Sequence, residues 1–163
     1  MADSSTNLSI HTVSLEGLDT GLALIWDVFL KFVAPDYSKE AIDFFYSQYI
    51  TGARFRQKFF DGSEVMYGAY ICDELVGVLS ISARNTVSCI FVKEEYHRIG
   101  IGKSLFDAVI KELKRRGVAE INLNASPYAI NFYHKLGFCD TDVQSTYNGM
   151  IYTPMKLALD EYK

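Results

Sequence analysis

Cysteine and proline are scarce in this chain, three of each in 163 residues, and several familiar sequence features are missing altogether. Cys72, Cys89 and Cys139 are odd in number, widely spaced and form no C-x-x-C pair. That argues against a disulfide framework and against a zinc site, suits a reducing compartment, and leaves the three thiols as small hydrophobes in strands. No metal site is expected. The most hydrophobic stretch, GLALIWDVFLKFVAP, is broken by Asp27 and Lys31, so no run of about 18 uncharged apolar residues could cross a membrane. It reads as an amphipathic helix. The leading MADSSTN is polar and acidic, lacks the basic and apolar regions of a secretory signal, and predicts a cytoplasmic protein. A net charge of -4 without a clustered basic face disfavours nucleic-acid binding. No Pro/Gly/Ser-rich linker, internal repeat or low-complexity tract interrupts residues 1–163, which therefore read as one domain. Neither a G-x-S-x-G elbow nor an H-E-x-x-H pair is present.

What is there is regular. LSIHTVSL alternates as a first strand, and Leu22 to Val33 carries apolar residues at helical spacing up to Pro35. A second helix begins after Ser38, a predicted N-cap, with Ile42, Phe45 and Tyr49 on one face. After the Asp61-Gly62 turn, EVMYGAYI and LVGVLSISA form a hairpin pattern around Asp73 and Glu74, and TVSCIFV follows as a third strand in that block. From Gly100 the period changes to that of a helix carrying Leu105, Phe106, Val109, Ile110 and Leu113. Lys111, Lys114, Arg115 and Arg116 complement its carboxyl end, and Gly117 stops it. AEINLNA is a strand, and SPYAINFYHKLGF a helix with Ser126 as N-cap, Pro127 at the first position and Gly137 as stop. Asn148-Gly149 marks a closing hairpin, which could complete a monomeric sheet or pair across a homodimer. The order β, α, α, β, β, β, α, β, α, β, β describes an α/β chain with a mixed sheet and helices on its faces.

The stretch EYHRIGIGKSLF holds two glycines, a lysine and a hydroxyl residue, all ingredients of a phosphate cradle. A nucleotide P-loop needs glycine where His97 stands, and a dinucleotide fingerprint needs glycine where Leu105 stands. Both readings fail at the position where the backbone must turn or pack. What survives is a strand ending near Val92, a short turn, and a glycine-opened helix whose free N–H groups face an anion. Arg98 and Lys103 add charge. The alternative is that Gly100 and Gly102 serve packing alone.

IFVKEEYHRIGIGKSLF resembles the acyl-CoA signature of the GNAT superfamily of N-acetyltransferases, [RQ]-x-x-G-x-[GA], and NASPYAINFYHKLGF is similar to the next segment of that family. The resemblance implies a mostly antiparallel twisted sheet of about seven strands, splayed between the fourth and fifth, flanked by about four helices. It implies acetyl-CoA as co-substrate, with Phe91 and Val92 along the pantetheine arm and the backbone from Arg98 through Ile99, Gly100, Ile101, Gly102 and Lys103 to Ser104 around the pyrophosphate. His97 stands where the family has arginine or glutamine, and could meet the pyrophosphate in its protonated form or stay a solvated loop residue. Asn124 and Ser126 lie at the end of the neighbouring strand, facing the co-substrate or serving as turn and cap. Tyr133 is the implied catalytic residue, stabilising the departing thiolate; the bland alternative is a core aromatic.

The TVSCIFV strand offers no carboxylate, so no general base is assigned. Nothing lowers the Cys89 pKa or pairs it with His134; Cys89 reads as a packing residue and His134 as an exposed helix position. The first two helices shape the acceptor pocket in the resembling family; here they are aromatic with Asp36, Glu40 and Asp43 nearby, which would suit a cationic or amine acceptor, small molecule or peptide. A non-catalytic acyl-CoA-binding or regulatory module on the same fold is the alternative function.

Overall fold

A computed structural model describes residues 7–162. Strand β1 (Leu8–Thr12) is followed by helix α1 (Leu18–Val28), which continues through a wider turn at Phe29–Val33 and a tighter one at Ala34–Asp36. Helix α2 (Lys39–Phe45) likewise widens at Tyr46–Ile50, and α3 (Ala53–Asp61) leads into the sheet. Strands β2 (Glu64–Ile71), β3 (Glu74–Ser82) and β4 (Thr86–Val92) form a meander. Helix α4 (Ile101–Arg115), β5 (Glu120–Ala125), α5 (Ile130–Leu136), β6 (Cys139–Asp140), β7 (Ser145–Tyr147) and β8 (Met150–Ala158) complete the chain. The strand order is β1-β2-β3-β4-β5-β8-β6, with β7 paired to β8. Every pairing is antiparallel except β4 with β5. The mixed, mostly antiparallel sheet anticipated from the sequence is therefore present, and none of its helices is long and apolar enough to cross a membrane among the described residues.

Local chemistry accounts for the element ends. Ser38 Oγ accepts from the Ala41 N–H at 3.2 Å and caps α2. Arg115 and Arg116 both close on Glu112 at the end of α4, and Gly117 and Gly137 take the left-handed conformation that stops α4 and α5. Asn148 (φ 50°) and Gly149 (φ 80°) make the two-residue turn between β7 and β8. Three expectations change. Helix α3 had no counterpart in the sequence reading. Cys72 lies exposed in the β2–β3 turn at φ 51°, and Cys139 is exposed in β6, so only Cys89 behaves as a small strand hydrophobe. Ser126 stands ahead of the turn at Pro127–Ala129, yet its hydroxyl makes no cap; its carbonyl accepts the Ala129 N–H at 3.0 Å instead.

The sheet separates two apolar cores. On one face α4 and α5 bury Leu105, Phe106, Val109 and Tyr133 against Ile121, Leu123 and Met155. On the other, α1, α2 and α3 bury Leu22, Ile25, Phe29, Phe45 and Phe55 against Met66 and Val78. Burial of this kind contributes about 25 cal/mol per Å² of apolar surface.

Candidate active site

Strands β4 and β5 are joined only at Thr86↔Asn122 and Val87↔Leu123; beyond that point they part. Thr86 Oγ1 donates to Asn122 Oδ1 at 2.7 Å across the first of these two pairs. From Ser88 to Val92, β4 has no strand on its β5 side, and the gap opens into a cleft of about 1300 Å³ that runs through to the α1–α3 face. The splay implied by the sequence is thus a single-residue event, and β4 contains another. Ser80 pairs with Cys89 while Ile81 pairs with Val87, which leaves Ser88 as an inserted residue. The bulge shifts the alternation: Val87 belongs to the α4 core, Cys89 and Phe91 to the α1–α3 core, and Ser88 is turned into the cleft.

One end of the cleft is the glycine-opened turn. Arg98 (φ 65°) and Gly100 (φ 86°) are both left-handed, the alternation that points successive amides to one side. Among the described residues, the N–H groups from Arg98 to Lys103 have no hydrogen-bond acceptor, and the first bond of α4 runs from Ser104 N–H to Gly100 O at 2.9 Å. The cradle is therefore one residue shorter than expected: the Ser104 amide is already used. Arg98, Gly100, Ile101, Gly102 and Lys103 line the cleft, while Ile99 is 60% exposed and is not part of its lining. Gly100 meets nothing within 4 Å and serves the backbone conformation; a Cβ at Gly102 would lie 2.9 Å from Phe132 Cζ, so Gly102 serves close packing. The two glycines divide the functions between which the sequence left a choice. Lys103 Nζ is 3.1 Å from Asp107 and lies over the Tyr162 ring, which sets its stem beside the cradle. The His97 ring turns toward the strand end, Nε2 2.6 Å from Val92 O, and tilts against Phe32.

Asn124 and Ser126 line the opposite wall, and neither side chain has a hydrogen-bond partner among the described residues. The freedom of the Ser126 hydroxyl favours a ligand-facing role over capping. Tyr133 lies at the floor, 6% exposed, its ring held edge-on by Phe106 and Phe138. Its hydroxyl reaches the cleft and makes no hydrogen bond to the described residues. Burial, with a smaller contribution from Cys89, raises its pKa, so the phenol stays protonated and can donate. Burial, and then the Glu64 charge, pushes the Cys89 thiol up to about 12, which removes it as a nucleophile near neutral pH.

The sequence reading assigned no base. The structure sets a buried carboxylate behind Ser88: Glu64, 2% exposed at the head of β2, accepts from Ser80 Oγ at 2.6 Å and from Ser88 Oγ at 2.9 Å. Desolvation raises its pKa above the ordinary carboxylate value, against the two serine hydrogen bonds. Ser88 stands between Glu64 and the cleft. The available signal was the phase of β2, in which Glu64 and Met66 are buried and Val65 between them is exposed.

Beyond Ser88 the cleft is walled by Phe29, Tyr37, Phe45, Tyr49 and Phe55, and the terminal hairpin closes it through Tyr147 and Met150. Tyr37 donates to Ile151 O at 2.9 Å, and the Gly149 turn fits against Ser38 and Ala41, so the hairpin is pinned to α2. Asp36, Glu40 and Asp43 are exposed and do not line this arm; the charges that do are Arg54 and Lys58 of α3. The acidic acceptor pocket expected from the sequence is therefore corrected.

The chain belongs to the family of acetyltransferase (GNAT) domains, whose pattern it matches over residues 33–159. It is 32% identical over 68 residues to an uncharacterized N-acetyltransferase, ycf52, of Porphyra purpurea, an overlap that spans 39% of each protein. Among solved structures, a GCN5-related N-acetyltransferase from Rhodopseudomonas palustris superposes with a TM-score of 0.79 at 21% identity, covering 92% of this chain and 94% of that one. The PaiA N-acetyltransferase of Thermoplasma acidophilum, solved with coenzyme A, gives 0.76 at 22% identity over 93% and 98%. YncA of Salmonella typhimurium, described as a putative acetyltransferase and solved with acetyl-CoA, gives 0.65 at 19% over 96% of each. At these identities the superpositions establish the fold.

Proposed function

We propose that this protein is an acetyl-CoA-dependent N-acetyltransferase that moves the acetyl group directly to a primary amine. The observation that carries this reading is the parted β4–β5 edge, with free amides from Arg98 to Lys103 at one end and the unpartnered Tyr133 hydroxyl at its floor. The residues fit the co-substrate: the amides and Arg98 suit pyrophosphate, and Phe91, Val92, Asn124 and Ser126 border an extended arm that could pair with the open edge. Coenzyme A and acetyl-CoA in the Thermoplasma and Salmonella proteins support the same choice.

The chemistry follows from the two buried acid–base groups. Acetyl-CoA supplies the thioester carbonyl that the amine attacks; the C–N bond forms as the C–S bond breaks. Tyr133 donates its phenolic hydrogen bond to the sulfur as negative charge develops there. Ser88 receives the amine proton and relays it to the ionised Glu64 carboxylate at 2.9 Å. The thiolate leaves protonated, with the proton drawn through Tyr133 and replaced from solvent. The bulge is what lets Ser88 face both Glu64 and the cleft.

Thiol release from acetyl-CoA across a panel of amines, with acetyl-CoA binding measured calorimetrically, tests the proposal. Acceptor-dependent thiol is expected. Tight acetyl-CoA binding with no acceptor-dependent thiol would refute it and leave a binding module.

A further inference from the structure

The far end of the acceptor arm is built from α3, and that helix sets two cations on one face, neither in an ion pair among the described residues. Arg54 and Lys58 are one helical turn apart, exposed, and both line the cleft. Among the described residues neither enters an ion pair or a side-chain hydrogen bond; Arg56 between them pairs with Asp19 at 2.6 Å and reaches Ile50 O. Arg54 also sits in the first turn of α3, where the positive end of the helix disfavours a cation. The nearby carboxylates feel the charge of Lys58 but make their contacts elsewhere. Asp61 accepts from Ser63 N–H at 2.9 Å and Ser63 Oγ at 2.6 Å, and Glu64 is enclosed behind Ser80 and Ser88. Glu94, the one acidic residue lining the cleft among the described residues, belongs to the cradle end and pairs with Lys31 at 3.3 Å.

The arm therefore offers aromatic walls, a hydrogen-bonding serine at its inner end, and two positive charges at its outer end that enter no ion pair among the described residues. We infer that the acceptor is an amino acid with an apolar or aromatic side chain, its carboxylate held by Arg54 and Lys58 and its amine presented at Ser88. An Arg–Lys pair one turn apart suits a carboxylate, with the guanidinium forming the directional contact and the ammonium adding charge. Lys58 lies near enough to Glu64 for its charge to act on that carboxyl. The two cations also disfavour the ammonium form of the incoming amine, which must be neutral to attack. A polyamine meets the opposite field: its charges would face Arg54 and Lys58 with no carboxylate on the wall.

This inference rests on the acetyltransferase reading, and its test separates the two. Matched pairs of L-phenylalanine and L-phenylalaninamide, L-leucine and L-leucinamide, and L-methionine and L-methioninamide, with spermidine alongside, are compared by thiol release and by calorimetric binding. For at least one pair, kcat/KM of the acid is expected to exceed that of the amide by about tenfold, the scale of one charge-assisted contact. The comparison is strict, because the amide's amine is the less basic and is more fully neutral near pH 7. In the Arg54→Gln, Lys58→Gln double variant the ratio should fall toward one, and Arg54→Lys should retain part of it. Both side chains are exposed, and thermal unfolding verifies that the variants fold.

A preference for the amides or for spermidine across the panel, or an unchanged ratio in the double variant, overturns the inference while leaving acetyl transfer in place. Carboxylate-dependent binding without any thiol release upholds the anion site and removes the transferase reading. Failure of every probe both to bind and to react overturns the inference.

Discussion

Replacing Tyr133 by phenylalanine removes one oxygen and isolates the proposed leaving-group contact from the fold. The ring is fixed by Phe106, Phe132 and Phe138, with centroids 6.2, 5.5 and 5.6 Å away, and all of these contacts survive the change. The hydroxyl makes no hydrogen bond to the described residues, so its loss leaves no protein group unsatisfied. Stability should change by no more than about 0.5 kcal/mol, where a buried residue with a partnered hydroxyl would lose about 1 kcal/mol. Catalysis should respond differently. A donor aimed at developing charge in a water-poor site contributes about 2.7–4 kcal/mol to the transition state, so kcat should fall by roughly 10²–10³-fold. Acetyl-CoA affinity should stay within about twofold, because the contact strengthens only as the C–S bond breaks. The assay is steady-state thiol release, with calorimetric acetyl-CoA binding and thermal unfolding on the same preparations. A kcat within about twofold of wild type, or an affinity loss that tracks the kcat loss, would refute the assignment. Tyr133→Ala makes a useful contrast: the cavity should cost about 3–5 kcal/mol of stability and confound activity with folding.

Glu64→Gln should lower kcat/KM by about 10²–10⁴-fold and abolish the acid limb of the pH profile, because only the ionised carboxyl accepts a proton. The stability sign is opposite. The folded pKa of Glu64 lies above 4.5, so wild type loses stability relative to Glu64→Gln as pH rises from 4.5 through that raised value, checked by denaturant unfolding across pH. Gly102→Ala should destabilise by about 1–3 kcal/mol through collision of its Cβ with Phe132, and Phe132→Leu in the same chain should restore part of the loss in thermal unfolding. His97→Ala should weaken acetyl-CoA binding several-fold by freeing the strand end, whereas His97→Gln, able to donate to Val92 O, should keep most of the affinity by calorimetry.

Local signals in this chain were legible where one or two residues decide the outcome. Gly117, Gly137, Ser38 and the Asn148-Gly149 pair act through their own backbone or nearest turn, and each is found where its chemistry requires. The glycine-opened turn before α4 is legible for the same reason. Helix α3 was not: Phe55 and Phe59 pack inward while Phe60 is 60% exposed, and Gly52 supplies no capping side chain, so neither its face nor its start stands out. Glu64 was read past because a charge beside an Asp-Gly turn is usually solvated; only the register of three strands brings Ser80 and Ser88 to it. The Ser88 bulge has no sequence mark at all, since it exists only in relation to the partner strand. The acidic pocket was misjudged because Asp36, Glu40 and Asp43 lie on the outward side of helices whose inward side is aromatic.

The two cores on opposite faces of the sheet let this chain vary in one respect while holding another constant. The cradle and Tyr133 are braced by α4 and α5, whereas the acceptor walls belong to α1, α2, α3 and the hairpin. Residues that share no partners act nearly additively on stability. Under the proposed amine transfer, substitutions on the acceptor side should then retune which amine is chosen without dismantling the donor side, a separation through which new specificities could accumulate by single changes.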